Sequence, residues 1–402
     1  MDNNLRGVPV EGFADKSREA AVEGIVLLKN ENNTLPLTEQ DKVSVFGRPM
    51  IEYYRSGTGS GGAVNVEYTT NILDGFENSN LNFNKTIVED YKEWLKDHPF
   101  DNGGGGWACE PWFQKDMEIT ADYAKKQAES TNKAVYIIGR TAGEDKDNAN
   151  WVGSYLLTDE EKENLKNITE AFEDVCVVLN VSNIIDLKWI DEEQFKGHIK
   201  SVIIVWQGGM EGGNAVADAL SGKATPSGKL PDTVAYDIED YPANDNFGNE
   251  LTNLYKEDIY VGYRYFETFA PEKVQFEFGF GLSYTTFDIE TVSADADDEK
   301  ITLEVKVTNT GDKFSGKEVV QVYVKAPQGV LGKPARALVG FAKTGILAPG
   351  AKETVTINVA KESFASYDDS GATGHKSCYV LEEGSYEFYQ SYQRRVPSNP
   401  GT

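Results

Sequence analysis

Four runs in the first half of the chain are apolar on consecutive residues rather than alternate ones: VSVFG at 43–47, AVYIIG at 134–139, VCVVLNV at 175–181 and SVIIVWQ at 201–207. A strand with one wet face alternates between polar and apolar positions. A strand that is apolar throughout needs cover on both faces, which is the condition of parallel sheets. Helical patterns lie between these runs. TDEEKENLKNITEAFE at 158–173 opens with Thr158 and Glu161 at the spacing of a capping box, and GGNAVADALS at 212–221 predicts another helix. DKSREAAVEGIVLLK at 15–29 opens on Asp15 and carries Ala20, Ala21, Ile25 and Leu28 on one face, which predicts a helix over the whole stretch. Such alternation predicts an α/β domain over 1–231, a layered αβα sandwich with a mostly parallel sheet.

After about residue 285 the period changes. ITLEVKVTNTG, EVVQVYVKAP, ARALVGFAKTGIL, KETVTINVA and GSYEFYQS alternate with a period of two and are punctuated by Asn-Thr-Gly, Ala-Pro and Pro-Gly. Short alternating strands broken by turn residues predict an antiparallel β-sandwich, here over 291–395. The aromatic-rich stretch 232–290 then reads as a strap or linker, and VPSNPGT at 396–402 as a tail, either a frayed end or a cut inside a linker. A length of 402 residues suits two or three domains.

The formal net charge of -26 argues against nucleic acid and anionic membrane surfaces as partners, since both repel it, and is compatible with a neutral partner such as a sugar. The first residues show no charged-then-apolar signal pattern, and no apolar run approaches the roughly 18 residues of a membrane span. Cys109, Cys176 and Cys378 are too far apart in sequence to suggest a disulfide framework, so the expected compartment is the reducing cytoplasm. His98, His198 and His375 show no ligand spacing, and no metal is expected.

SGTGSGG at 56–62 contains G-x-G-x-x-G at Gly57, Gly59 and Gly62, yet the preceding strand ends near Gly47 and the residues that follow are β-branched. A dinucleotide site needs that motif to close a strand and open a helix, so a close-approach loop near a ligand is the better reading and no cofactor is expected. GKATPSGKL at 222–230 is one residue too long for a phosphate loop and has Leu230 where a magnesium-binding hydroxyl is required, which leaves a turn shaped by Pro226 and Gly228. No serine stands in a G-x-S-x-G elbow. DNGGGGWACEPWF at 101–113 carries Trp107 and Trp112 on a glycine-rich loop, either as a platform for a sugar ring or as a hydrophobic plug.

The run at 134–139 opens directly into RTAGEDKDN, with Glu144, Asp145 and Asp147 beyond the carboxyl end of a strand. A solvated turn would account for three acids there. The carboxyl edge is also where open α/β sheets bind ligands, and Gly143 lets the backbone bend.

SREAAVEGIVLLKNENNTLPL (17–37), GRTAGED (139–145), WQGGMEGGNAVADALSGKATPSGKLPDT (206–233) and YVGYRYFE…FEFGFGLSYTTF (260–287) resemble the second domain of glycoside hydrolase family 3, and its β-glucosidases in particular. The last 110 or so residues are similar to that family's fibronectin type III-like domain. The resemblance runs colinearly along nearly the whole chain. The family's third part, a (β/α)8 barrel with the nucleophilic Asp in a Ser-Asp-Trp-like context, has no counterpart in these residues. The chain resembles rearranged members in which the sandwich and fibronectin-like domains precede the barrel.

What the resemblance implies is a retaining, exo-acting β-glucosidase that hydrolyses terminal β-D-glucosyl residues. Two carboxyl groups about 5–5.5 Å apart then share the work, one attacking while the other protonates the leaving oxygen and later deprotonates water. In many members that acid/base is a Glu in a Gly-Glu-Gly-like loop, and Glu144 stands at the matching place, with Asp145 where a glycine is common. Such an acid needs a pKa raised by burial or by a neighbouring carboxylate. Arg55, Ser56, Gly57 and Thr58 are the candidate substrate-binding residues, and the barrel, in cis or as a second chain, the expected partner. A homo-oligomer is compatible with the reading, and the chain by itself is expected to be inactive. The alternatives are a non-catalytic carbohydrate-binding or scaffold module, or β-xylosidase specificity.

Overall fold

The computed structural model describes residue 8 and residues 10–390, and in it the chain forms two compact units. The first runs to Lys229 and includes Tyr236–Ile238 and Gly281–Tyr284. The second holds Leu230–Ala235, Glu239–Phe280 and the residues from Thr285 onward. The end of the β domain expected at 395, and the tail at 396–402, lie outside the described residues.

The first unit is built on a six-stranded sheet of β1 (Val26–Asn30), β2 (Lys42–Phe46), β3 (Asn82–Phe83), β4 (Lys133–Gly139), β5 (Val175–Asn180) and β6 (Ile199–Ile204), in the order β1-β6-β5-β4-β2-β3. All neighbours are parallel except β1, which runs antiparallel to β6 at the edge. β5 is buried at every residue and β4 at all but its first. A strand buried in this way is covered on both faces, and the helices supply the cover. α1 (Phe13–Gly24), α2 (Ile72–Glu77) and α6 (Gly212–Leu220) pack together, and α4 (Ala121–Ala128) packs with α5 (Asp159–Ala171). α3 (Lys85–Asp97) lies against β2. The expected αβα sandwich with a mostly parallel sheet is the observed fold.

The helix expected over 15–29 is corrected. α1 stops at Gly24, and 26–30 is an edge strand whose Val26 pairs with Ile204. Asp15 lies in the first turn of α1 and the capping position belongs to Gly12, which offers no side chain. β-branched Ile25 and Val26 favour the extended chain, and the open edge of β6 offers their backbone a ladder. The capping box of α5 forms as its sequence predicts: Thr158 Oγ1 accepts from the Glu161 amide at 3.0 Å, and the Glu161 carboxylate accepts from the Thr158 amide at 2.8 Å. Among the described residues no helix is long and apolar enough to cross a membrane.

The second unit is an antiparallel β-sandwich. β7 (Phe287–Ala296), β8 (Lys300–Asn309) and β11 (Lys352–Ala360) form one sheet. β9 (Val319–Lys325), β10 (Ala337–Lys343) and β12 (Glu387–Gln390) form the other. Leu303, Val305 and Val307 on β8 meet Val355, Ile357 and Val359 on β11 and Val320 and Val322 on β9 in a single core. Every second residue points inward, the period that the sequence shows. Much of the aromatic stretch belongs to this unit: α7 (Tyr263–Phe269) buries Phe266 with Ala235 and Ala270, and the Tyr263 hydroxyl ties it to the second sheet by accepting the Leu338 amide at 2.7 Å.

Beneath the carboxyl ends of β2 and β4 lies a buried polar cluster. Arg140 pairs with Glu161 through two contacts of 2.6 Å. Asp116 Oδ1 accepts the amides of Arg48 at 2.9 Å and Met117 at 2.8 Å. Burial, with a smaller push from the Glu161 charge, raises the Asp116 carboxyl to about 7. An acid raised in the folded state holds its proton longer there than in the unfolded chain. Its contribution to stability is therefore greatest below the unfolded value near 4 and declines as pH rises toward 7. Asp116→Asn keeps an oxygen for both amides and removes that decline. Urea unfolding at pH 5, 6, 7 and 8 is expected to show the variant gaining on the parent by at most about 1.4 kcal/mol per pH unit, with no further gain above pH 7. A constant difference across the series would place the proton elsewhere.

Candidate active site

Strand order reverses between β2 and β4: β3 is added on one side of β2 and β4 on the other. The crevice outside such a reversal, at the carboxyl ends of the strands, is where open α/β sheets bind ligands. Two loops meet there, 47–71 after β2 and 140–158 after β4. The Thr58 amide donates to Ala142 O at 3.1 Å and Thr58 Oγ1 to Glu144 O at 3.3 Å, so the glycine loop and the acidic turn are laced together.

The acidic turn is closed by a reciprocal pair between Gly143 and Lys146, amide to carbonyl at 3.1 and 3.0 Å. That leaves Glu144 and Asp145 at its tip. Asp145 has φ 58°, a conformation that glycine adopts freely and Asp tolerates better than most residues. This explains how Asp145 occupies a position where the family resemblance expects glycine.

Glu144 is exposed, and its Oε2 accepts two hydrogen bonds from the glycine loop, the Ser60 amide at 2.9 Å and Ser60 Oγ at 2.6 Å. The Ser60 hydroxyl first and its amide second favour the ionised form and hold the carboxyl below the ordinary Glu value. That is the reverse of what a general acid needs, and the small opposing effect of burial does not offset it. Gly59, at φ 82°, allows the approach: a Cβ there would stand 2.4 Å from Glu144 Cβ and 2.8 Å from its Oε2.

Both neighbouring acidic residues bond to tryptophans. Asp145 Oδ2 accepts Trp107 Nε1 at 2.8 Å, and the Asp147 carbonyl accepts Trp112 Nε1 at 2.9 Å. Lys146 Nζ sits 4.4 Å from the centre of the Trp112 ring, which meets Trp151 edge to face at 5.4 Å. Trp107 is 55% exposed and Trp151 63%. The glycine-rich 101–113 loop is thus joined to the acidic turn, and it presents an indole face beside Glu144's turn.

Of the four other expected site residues, Arg55, Ser56 and Gly57 are half-buried on the same loop. The Arg55 guanidinium reaches Val64 O at 3.5 Å, and its carbonyl accepts the Gly209 amide at 2.9 Å. Thr58 is buried, and its donors are used in the loop pair. Two residues that pattern reading does not single out hold the site together. Ser60 anchors the carboxyl. Asn180, fully buried at the end of β5, accepts the Tyr54 amide at 2.9 Å and donates to Tyr54 O at 2.9 Å and Trp206 O at 2.6 Å. Trp206 has φ 50°, a strained state for a bulky residue, on the loop after β6. A polar Asn ending an otherwise apolar strand, VCVVLN, is the one sequence signal that points to the second of these.

Residues 25–284 match the profile of the Glycosyl hydrolase family 3 C-terminal domain, and 318–391 that of the Fibronectin type III-like domain. A β-glucosidase of Ruminococcus albus is 48% identical over 377 residues, which cover 94% of this chain and 39% of that protein. β-Glucosidase A of Butyrivibrio fibrisolvens is 39% identical over 430 residues, covering 96% of this chain and 50% of that one. The crystal structure of a β-glucosidase from Paenibacillus barengoltzii superposes with a TM-score of 0.95 at 57% identity, covering 97% of this chain and 42% of that one. β-Glucosidase 3B of Thermotoga neapolitana, in complex with α-D-glucose, superposes at 0.84 with 34% identity, covering 94% and 52%. The chain therefore spans only about 39–50% of the length of the curated relatives quoted. It belongs to glycoside hydrolase family 3, of which it carries the C-terminal α/β domain and a fibronectin type III-like domain.

Proposed function

We propose that this chain supplies the general acid/base, Glu144, of a retaining, exo-acting β-glucosidase whose nucleophilic Asp lies on a (β/α)8 barrel, in cis or on a second chain. The observation that carries the reading is the placement of Glu144: an exposed carboxyl at the reversal of strand order, held by the glycine loop rather than free in solvent. The names of the relatives support a β-glucoside as substrate. Arg55, Ser56, Gly57 and Thr58 are the residues we assign to the sugar side, and the Trp107 indole suits the stacking of a ring on the leaving-group side. Three unpaired cysteines fit a cytoplasmic setting.

In the first step the barrel Asp attacks the anomeric carbon as Glu144 gives its proton to the glycosidic oxygen, which leaves with the bonding pair. In the second, Glu144 takes a proton from water as the water oxygen bonds to the anomeric carbon and the Asp carboxylate departs. The first step needs the protonated form of Glu144. Ser60 disfavours that form, and a nucleophilic carboxylate brought within about 5–5.5 Å would favour it.

Two outcomes are expected. The purified 402-residue chain folds and hydrolyses no aryl β-glucoside at an enzymatic rate, because one carboxyl group cannot run a double displacement. Turnover that survives removal of trace contaminants would refute this division of roles. In the barrel-containing enzyme, Glu144→Ala should slow the first step of alkyl glucosides and cellobiose by on the order of 10²–10⁴-fold. A dinitrophenyl glucoside should keep much of its first-step rate and accumulate the covalent intermediate. Azide, which needs no base, should then restore turnover and yield a β-glucosyl azide. Rescue of Asp147→Ala instead, with uniform slowing in Glu144→Ala, would move the acid/base to the other residue. A barrel-containing protein that binds sugar without any turnover would favour a carbohydrate-binding role.

A further inference from the structure

The glycine loop treats the two oxygens of Glu144 differently. Both donors from Ser60 converge on Oε2, the amide at 2.9 Å and the hydroxyl at 2.6 Å, while Oε1 accepts no hydrogen bond among the described residues. We propose that Ser60 is a positioning residue for proton transfer, anchoring Oε2 so that Oε1 alone exchanges the proton with the glycosidic oxygen and then with water. This rests on the assignment of Glu144 as the acid/base.

The anchor is built into the loop pair rather than fortuitous. Ser60 is two residues from Thr58, whose amide and hydroxyl fix the loop to Ala142 O and Glu144 O. Gly59 between them has no Cβ to stand in the way of the Glu144 side chain. Two donors on one oxygen orient the carboxyl plane, since they restrict rotation about its terminal bond. A carboxyl with one oxygen held and the other open presents a single site for a proton, the geometry that an acid/base acting twice on the same side of the sugar requires.

Among the described residues no other charged group of these loops bonds the carboxyl. On its own turn Asp145 bonds Trp107 Nε1, and Lys146 lies over the Trp112 ring. Asp147 follows, with its carbonyl on Trp112 Nε1. On the glycine loop Arg55 reaches Val64 O, and the tryptophan loop carries Asp101 and Glu110. None of these bonds the Glu144 carboxyl. Ser60 is therefore the neighbour that decides its ionisation in this chain, in the direction of the carboxylate.

The test begins on the 402-residue chain, which needs no substrate. Carbon-13 carboxyl NMR of Glu-labelled protein follows the titration of Glu144, assigned by the signal lost in Glu144→Gln. The midpoint is expected to lie below the ordinary Glu value, to rise in Ser60→Ala, and to return in Ser60→Thr, which restores a hydroxyl. An unchanged midpoint in Ser60→Ala overturns the proposal, even where azide rescue upholds Glu144 as the acid/base. In the barrel-containing enzyme, Ser60→Ala should lower kcat on alkyl glucosides by on the order of tenfold with KM little changed, and move the alkaline limb of kcat/KM to higher pH. A merely structural serine would leave that limb in place, and this outcome too overturns the proposal. A midpoint that rises while azide fails to rescue Glu144→Ala leaves an anchored carboxylate outside the reaction and removes the premise instead.

Discussion

The site depends on one buried carboxamide. Asn180 ends the central strand β5 with no exposed surface, so its oxygen and its amide hydrogens must find partners within the protein. They find Tyr54 N, Tyr54 O and Trp206 O, which lie on the loops after β2 and β6. Its own carbonyl accepts the amide of Arg140, the first residue after β4. Four strand ends are thereby referred to a single residue. An apolar residue there would leave two backbone groups of Tyr54 unsatisfied, each costing about 1–3 kcal/mol when buried. The loops above would lose their common register. The buried Arg140–Glu161 pair plays a comparable part lower down, since Glu161 also closes the capping box of α5 and so ties the start of that helix to the end of β4.

From that fixed edge the geometry of the carboxyl follows in steps. Tyr54 is set, so the glycine loop leaves β2 in one direction. Thr58 meets the acidic turn, and Gly59 lets the two backbones come close enough for Ser60 to reach Oε2. The turn itself is a two-residue tip closed by Gly143 and Lys146, which makes Glu144 and Asp145 project as a pair. Their fates differ because the partners differ. Asp145 is taken up by an indole N–H, and Glu144 by a serine. A composition-level view of three acids in a loop has no means of making that distinction.

The buried strands were legible because their signal is local and strong: runs of β-branched residues with no polar face admit few other uses. The capping box at Thr158 was legible for the same reason, as was the alternation of the second unit. At 25–30 the pattern is ambiguous. IVLLKN continues an Ala-rich helical stretch, and its apolar residues satisfy the helical period as well as a strand's. What decides is the vacant edge of β6, 171 residues away, as the Asn30–Ser201 contact shows. The strand β3 and the helices α2 and α4, between β2 and β4, are equally hard to place, since two-residue strands and short helices carry little pattern. At the site, position beyond a strand pointed to the acidic turn, and resemblance pointed to Glu144 within it. Ser60 lay hidden inside a glycine motif, and its contact with Glu144 spans 84 residues. Contacts of that range are products of topology and leave no trace in neighbouring residues.

On the proposed reading Glu144 serves first as acid and then as base, which sets conflicting demands, and this chain meets only one of them. Ser60 donates twice to Oε2, which favours the carboxylate and hence the second, base-assisted step. With full solvent access, nothing in the described residues works in the opposite sense except a small burial effect. On the reading proposed here the opposing influence is the charge of the nucleophile. It is present while the Asp is free, before the first step, and absent once that Asp is esterified to the sugar. The demand for a proton on Glu144 follows the same schedule: high before glycosylation, low after it. A constant influence from Ser60 set against one that switches off with the chemistry would cycle the carboxyl between its two roles without any movement of the loop. On that reading the arrangement also accounts for an exposed, carboxylate-favouring Glu, since the raised pKa would belong to the assembled site rather than to Glu144 alone.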